Sequence, residues 1–314
     1  MIFLKNNFRL LLAMAFIVLM LNSCKKFSGD VTIPAYLHLD RIDVVPQSSS
    51  APSVEPGFYS SLVDAVELVC LFEGDNAETR LGTYQLPCTV PVLHYGTMTY
   101  LKVVPCVKQN GISASRISYP FYQVIRLDNM PLAADSTTNI GQYDPDRHDW
   151  FLHANYLNSN QIKVLAADFF EPTSFTTSFD SMMVWEKNDP ENACTGQGYG
   201  HVHANDSIVA FHLNNEFTSN QLRSTDLLYL EMDYWTDVEL MIGMAGFEVG
   251  GSNQSQKEVM RLYANKGWQK IYINLGKTWS QFNYNLPIGI FFQANNPDKK
   301  EGYVRFDNFK IIAM

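Results

Sequence analysis

Several absences set limits on this chain. It has no Gly-x-Ser-x-Gly elbow, no glycine loop to cradle a phosphate, no His-Glu-x-x-His and no Cys-x-x-Cys. None of the recurring local arrangements that activate a hydroxyl, a nucleotide or a metal-bound water is therefore present, and the expectation is a protein that is not an enzyme. Basic residues are few, 23 against 32 acidic, and no basic cluster is longer than a pair such as Lys299-Lys300. A surface of that sign repels phosphate backbones, which excludes nucleic acid as a partner. Charged residues make up only 18% and aromatics 13% of the chain, a balance that excludes disorder and implies sizeable cores. Cysteine is sparse. Beyond Cys24 there are Cys70, Cys88, Cys106 and Cys194, an even number that allows a disulfide in an oxidising compartment. Cys70 lies inside the apolar run Val66 to Phe72, where a free thiol packs as a small apolar side chain, so both states stay open.

The longest apolar run, Leu10 to Leu21, is too short for a spanning helix, which needs roughly 20 such residues. Lys5 and Arg9 precede it and Leu21-Asn22-Ser23-Cys24 follows, the order of a signal peptide. The end of the run resembles the lipobox of bacterial lipoproteins, which implies that residues 1–23 are removed and that Cys24 carries acyl chains. Each buried methylene contributes about 0.8 kcal/mol, so several chains make an anchor close to permanent. The expected location is the outer membrane, with the leaflet open. After the cysteine come Lys25 and Lys26, where many surface-exposed lipoproteins of the Bacteroidetes type carry acids. Without Lys5 and Arg9 the net charge falls from −9 to about −11.

The remaining length suits two domains after a tether at 24–31. Alternation predicts strands over Thr32–Val45, Leu62–Glu73, Thr79–Leu86 and Thr97–Val107, with a Pro- and Ser-rich loop over Pro46–Pro56. Pro87 and Pro91 mark edges or turns, and Asn110-Gly111 marks a turn, since both residue types tolerate positive φ. The stretch 129–154 is rich in Asp, Thr, Asn, Gly and Pro and is placed as a boundary region. Beyond it strands resume over Asn155–Val164, Leu228–Tyr234, Leu240–Phe247, Lys266–Leu275, Pro287–Ala294 and Gly302–Ile312, without a convincing helix.

The segment Asp64–Tyr122, with Leu81-Gly82-Thr83-Tyr84-Gln85-Leu86-Pro87 and Tyr119-Pro120-Phe121-Tyr122, resembles the N-terminal domain of a group of Bacteroidetes lipoproteins. The resemblance implies an immunoglobulin-like or transthyretin-like β-sandwich over 32–128. The pieces Tyr229–Tyr234, Gly267–Leu275, Ile288–Ala294 and Val304–Ile312 resemble β-jelly-roll modules of the carbohydrate-binding, galactose-binding-like kind, which implies a jelly roll over 155–314. The fold class expected is thus all-β, an Ig-like sandwich followed by a jelly-roll sandwich.

Candidate site residues follow from chemistry. Stacking on a sugar ring needs aromatic faces beside amides and carboxylates, and Trp185, Tyr199, Trp235, Trp279 and Tyr284 lie next to polar loops, notably Gly250–Gln256. Glu186, Asp189 and Glu191, beside Trp185, are the carboxylates a glycosidase pair would draw on, at a separation of roughly 5 to 9 Å that sequence does not give. The jelly-roll resemblance implies a structural calcium ion at Asp307, with Asp168 and Glu171 as further oxygen donors; an aspartate that only accepts hydrogen bonds is the alternative. His201 and His203, two apart on a strand with Asp206 close behind, would chelate a transition metal if a third ligand approached. Taken together the residues point to a lipid-anchored envelope protein that binds glycan. The alternative is a structural or interaction subunit that docks an envelope protein partner.

Overall fold

The computed structural model describes residues 33–45, 60–94, 96–157, 161–172, 178–218, 222, 227–251, 253–283 and 285–314; the signal-like segment, Cys24 and Tyr284 lie outside them. The chain is all-β, built as two packed sandwiches. Four cysteines, Cys70, Cys88, Cys106 and Cys194, are free thiols, and burial pushes each thiol pKa up, to about 11 for the first three and about 12 for Cys194.

The first sandwich starts with β1 (Ala35–Leu39) and β2 (Arg41–Val45). The sequence reads as one alternating strand, but the buried residues are Ala35, Leu37 and Leu39, then Ile42 and Val44. That one-residue change of phase turns the second half onto another sheet. Arg41 fixes the corner, with its guanidinium on Asp43, on Asp144 at 2.6 Å and on Asp149 at 2.7 Å. Next come β3 (Ala65–Phe72), β4 (Thr79–Gln85), β5 (Cys88–Val92), β6 (Gly96–Lys108), β7 (Arg116–Ser118) and β8 (Ile125–Leu132). The short strands β9 (Thr137–Asn139), β10 (Gln142–Asp144) and β11 (Asp149–Asn155) complete the set. The sheets run β5-β1-β9, β10-β11-β2 and β4-β3-β6-β7, with β8 also on β6. Pro91 sits in β5, an edge strand. Positions 129–154, expected as a boundary, instead form most of the last four strands. Met130, Leu132, Ile140, Leu152 and Ala154 enter the same core as Leu37 and Leu68.

The second sandwich holds β12 (Lys163–Asp168), β13 (Val184–Glu186), β14 (Tyr199–His203), β15 (Ile208–His212), β16 (Leu228–Thr236), β17 (Glu239–Phe247), β18 (Gln254–Leu262) and β19 (Gln269–Asn274). After a one-turn helix α1 (Gly276–Trp279) come β20 (Gly289–Asn295) and β21 (Tyr303–Ala313). The larger sheet runs β13-β14-β21-β16-β19 with β12 on β21, and the smaller runs β15-β20-β17-β18. Phe179, Phe211, Phe292, Phe306 and Phe309 fill the space between them, each 1% exposed or less. A buried Phe contributes about 1.5–3 kcal/mol, so this ring cluster is the main attraction between the two sheets.

The two sandwiches are joined through the outer face of the larger sheet. Tyr229, Tyr272 and Ile312 on that face belong to the first core. Asn110 and Gly111 form the expected turn, at φ 54° and 68°, and the turn plugs into β19. Asn110 N–H donates to the Tyr272 carbonyl (2.8 Å), and Asn110 Oδ1 accepts from Asn274 N–H (2.9 Å). At the centre Glu231 accepts Tyr119 Oη–H (2.6 Å) and Tyr156 Oη–H (2.8 Å) and pairs with Lys310 at 3.1 Å, both charged side chains being fully buried. This contact covers one half of the outer face and leaves the other half, together with the smaller sheet's outer face, open among the described residues.

Candidate functional site

The open face of the smaller sheet is set by register. Cross-strand partners point to one side, so its rungs read Ile208, Asn295 and Glu239, then Ala210, Gln293, Met241 and Arg261, then His212, Phe291, Gly243 and Glu258. Gln256 and Gln254, paired with Ala245 and Phe247, extend the face along β18. The alternate residues Ile290, Phe292 and Ala294 enter the core, which is why Phe291, Gln293 and Asn295 face out. Gly243 makes room for the Phe291 ring, since a Cβ there would lie 2.3 Å from Phe291 Cζ. Around this ring runs a hydrogen-bonded chain. Gln293 Nε2 donates to Asn295 Oδ1 (2.7 Å), Asn295 Nδ2 to Glu239 Oε1 (2.8 Å), and Arg261 Nη1 to the same oxygen (2.7 Å). Arg261 also grips both oxygens of Glu258 at 2.9 Å, which holds that carboxyl below its ordinary range. A half-buried ring bordered by fixed amides and a fork-fork ion pair offers apolar surface and directional donors and acceptors to a polyhydroxylated ring.

The open half of the larger sheet carries two of the aromatic residues expected to bind ligand. Tyr199, His201, Arg305 and Trp235 stand side by side across β14, β21 and β16. Their ring faces are already in use. Arg305 lies 4.6 Å over Trp235 and 5.6 Å over Tyr199, and Trp268 meets both rings edge-on at 6.3 Å. Tyr199 is 7% exposed and donates to Asp189 at 3.3 Å. Asp189 also takes both Asn192 contacts, at 2.9 and 3.0 Å, and Glu186 Oε1 lies 4.0 Å from His201 Nδ1.

Other expected residues fall elsewhere. Trp279 is a core residue, 1% exposed, because α1 turns it into the sandwich; the sequence expectation of a binding ring is corrected here. Trp185 packs against the same core and donates Nε1–H to the Phe170 carbonyl at 2.5 Å, so its ring serves packing. Tyr284 lies outside the described residues.

The carboxylates expected at a calcium ion do not fit one. Asp307 Oδ2 accepts N–H groups of Cys194 (3.1 Å) and Thr195 (3.0 Å), and Oδ1 accepts that of Asn308 (2.7 Å). Gln197 N–H reaches both Glu171 oxygens at 3.3 and 3.2 Å, and Ser178 N–H reaches Asp168 Oδ2 at 2.8 Å. A cation requires oxygens turned toward it, and here backbone donors hold those positions. Among the described residues no three His, Cys, Asp or Glu side chains converge. Burial pushes the Asp307 carboxyl up to about 8, against the opposing pull of the Thr195 and Asn308 amides.

Phe291, Gln293, Asn295 and Arg261 were not singled out from sequence, although the alternation of Gly289–Asn295 carries the signal for the first three. Arg261 and Glu258 lie in β18, a strand whose first residues were read as a loop because Gln and Ser dominate them.

No protein-family model matches the chain, and no curated protein does. Among solved structures, it is similar to a family 11 carbohydrate-binding module of a cellulosomal cellulase of Clostridium thermocellum, at 11% identity and TM-score 0.32, over 48% of this chain and 95% of that one. The CBM22-1 and GH10 modules of a Clostridium thermocellum endo-1,4-β-D-xylanase, complexed with xylohexaose, give 10% identity and TM-score 0.33 over 48% of this chain and 28% of that one. A carbohydrate-binding module of the β-sandwich superfamily gives 11% identity and TM-score 0.30 over 90% and 99%.

Proposed function

We propose that this protein is a non-catalytic, lipid-anchored protein of the outer membrane that binds glycan on the open face of its smaller sheet. The observation that carries the proposal is the Phe291 ring packed against Gly243 on the sheet face that also presents Gln293, Asn295, Met241 and Arg261. Sugars present apolar C–H faces and hydroxyl edges, and a ring with fixed amides beside it meets both. The charged groups of the face are two carboxylates, Glu239 and Glu258, sharing one guanidinium, Arg261, and the excess negative charge disfavours an acidic glycan relative to a neutral one. The lipobox-like end of the apolar run supports anchoring at Cys24, and the first sandwich would then stand between membrane and binding face.

The test is a glycan panel probed with the intact protein and with Phe291→Ala. Binding of a neutral glycan that weakens about tenfold or more without the ring is expected, since a buried aromatic contact contributes on the order of 1.4 kcal/mol or more. Equal binding by both proteins would place the site elsewhere. A panel with no ligand, together with a stoichiometric envelope protein recovered on the same bait, would make the chain an assembly subunit.

A further inference from the structure

We propose that His201 and His203 form a two-point site for a divalent transition metal of the imidazole-preferring class, such as Zn2+, Ni2+ or Cu2+. Both rings project from the same face of β14, and their Nε2 atoms are 3.1 Å apart. At a metal–nitrogen distance of about 2.05 Å, a cation equidistant from the two nitrogens would subtend an angle of about 98°, between the square-planar and tetrahedral values. In this structure the two nitrogens share a hydrogen bond, which an ion would replace, and their separation lies within the span of one chelated cation.

A second observation concerns the other nitrogen of His201. Its Nδ1 is buried without a hydrogen-bond partner, and Glu186 Oε1 stands 4.0 Å away. A metal on Nε2 fixes the ring proton on Nδ1, where a carboxylate is the usual partner. Closing that gap by about 1 Å would satisfy the orphaned nitrogen and orient the ring at once. His201 is 6% exposed and His203 is exposed, so one ligand is held rigidly and the other forms the entry.

No third His, Cys, Asp or Glu joins the pair among the described residues, and the remaining coordination positions fall to water or to an incoming group. The Tyr303 ring walls one side, 4.8 Å from His203 and 5.8 Å from His201. Arg305 stands opposite His201 on β21, where its charge opposes that of the ion and favours an anionic group as the further ligand. The site lies on the sheet opposite to the proposed glycan face, so the two stand or fall separately.

Titration of the intact protein in detergent with Zn2+, paralleled by electron paramagnetic resonance with one equivalent of Cu2+, tests the assignment. One equivalent bound with a two-nitrogen signature is expected. His203→Ala, at an exposed position that leaves the fold intact, should remove one nitrogen from the spectrum and weaken binding at least tenfold. Glu186→Gln should weaken it by about 10- to 100-fold while both nitrogens remain. His212→Ala, on the other sheet, should change nothing. Absence of binding, or an isotherm and spectrum unaltered by His203→Ala, would overturn the proposal.

Discussion

Replacing Glu231 with Gln removes the negative charge at the centre of the contact between the two sandwiches while keeping the side chain's shape. In the native protein its carboxylate takes two tyrosine hydroxyls, from Tyr119 and Tyr156, and the ammonium of Lys310, and neither Glu231 nor Lys310 is exposed at all. Gln keeps one acceptor oxygen and turns an amide donor toward groups that are themselves donors. Lys310 then loses the carboxylate 3.1 Å from its ammonium, and burial, which already lowers its pKa to about 8, opposes its charge more strongly. Breaking a buried pair in this way costs about 3–5 kcal/mol. At about 2–4 °C per kcal/mol for chains of this size range, the melting temperature should fall by roughly 6–20 °C. Urea unfolding followed by tryptophan fluorescence reads the loss directly. The double variant Glu231→Leu with Lys310→Met removes both charges, and it should recover most of the stability, because the penalty lies in the unpaired ion. A loss below about 1 kcal/mol in the single variant, or a double variant no more stable than the single, would refute the buried-pair account.

Further outcomes follow from other sites. Trp279→Ala should cost about 3–5 kcal/mol as a core truncation, whereas Trp235→Ala, half-buried on an open face, should cost far less in the same urea titration. The Asp307 carboxyl keeps its proton in the folded state up to about pH 8, while the unfolded chain releases it near 3.8. Its contribution to stability therefore declines as pH rises from about 4 to about 8, and the difference between wild type and Asp307→Asn in thermal melts across that window should show this slope. Gly243→Val should displace the Phe291 ring and abolish glycan binding while circular dichroism still reports a β protein.

In the second sandwich β16, β17, β19, β20 and β21 were legible because each runs for six or more residues, as in Gly289 through Asn295, whereas β13, β15 and β18 were not expected as strands. Strands of three residues, such as β9 and β10, offer too few positions for a period, so the polar run 129–154 read as a boundary although Ile140 and Leu152 reach the core. The polar residues Glu231, Asp233 and Lys310 gave no sign of burial, since their partners Tyr119, Tyr156, Ser60 and Asn308 come from distant positions. Aromatic type alone did not separate core rings from those on open faces. Two of those singled out pack in or against the core, and two more meet other rings and Arg305, whereas Phe291 was read only as part of a strand. Its use depends on Gly243 and Arg261 lying on neighbouring strands, and only register across the sheet brings them together.

Glycan binding measured in parallel for the intact protein, Phe291→Ala and Trp235→Ala decides which sheet carries the site. A neutral glycan should bind the intact protein and Trp235→Ala and be lost from Phe291→Ala. Binding that survives in Phe291→Ala and disappears in Trp235→Ala would contradict this and move the site to the larger sheet.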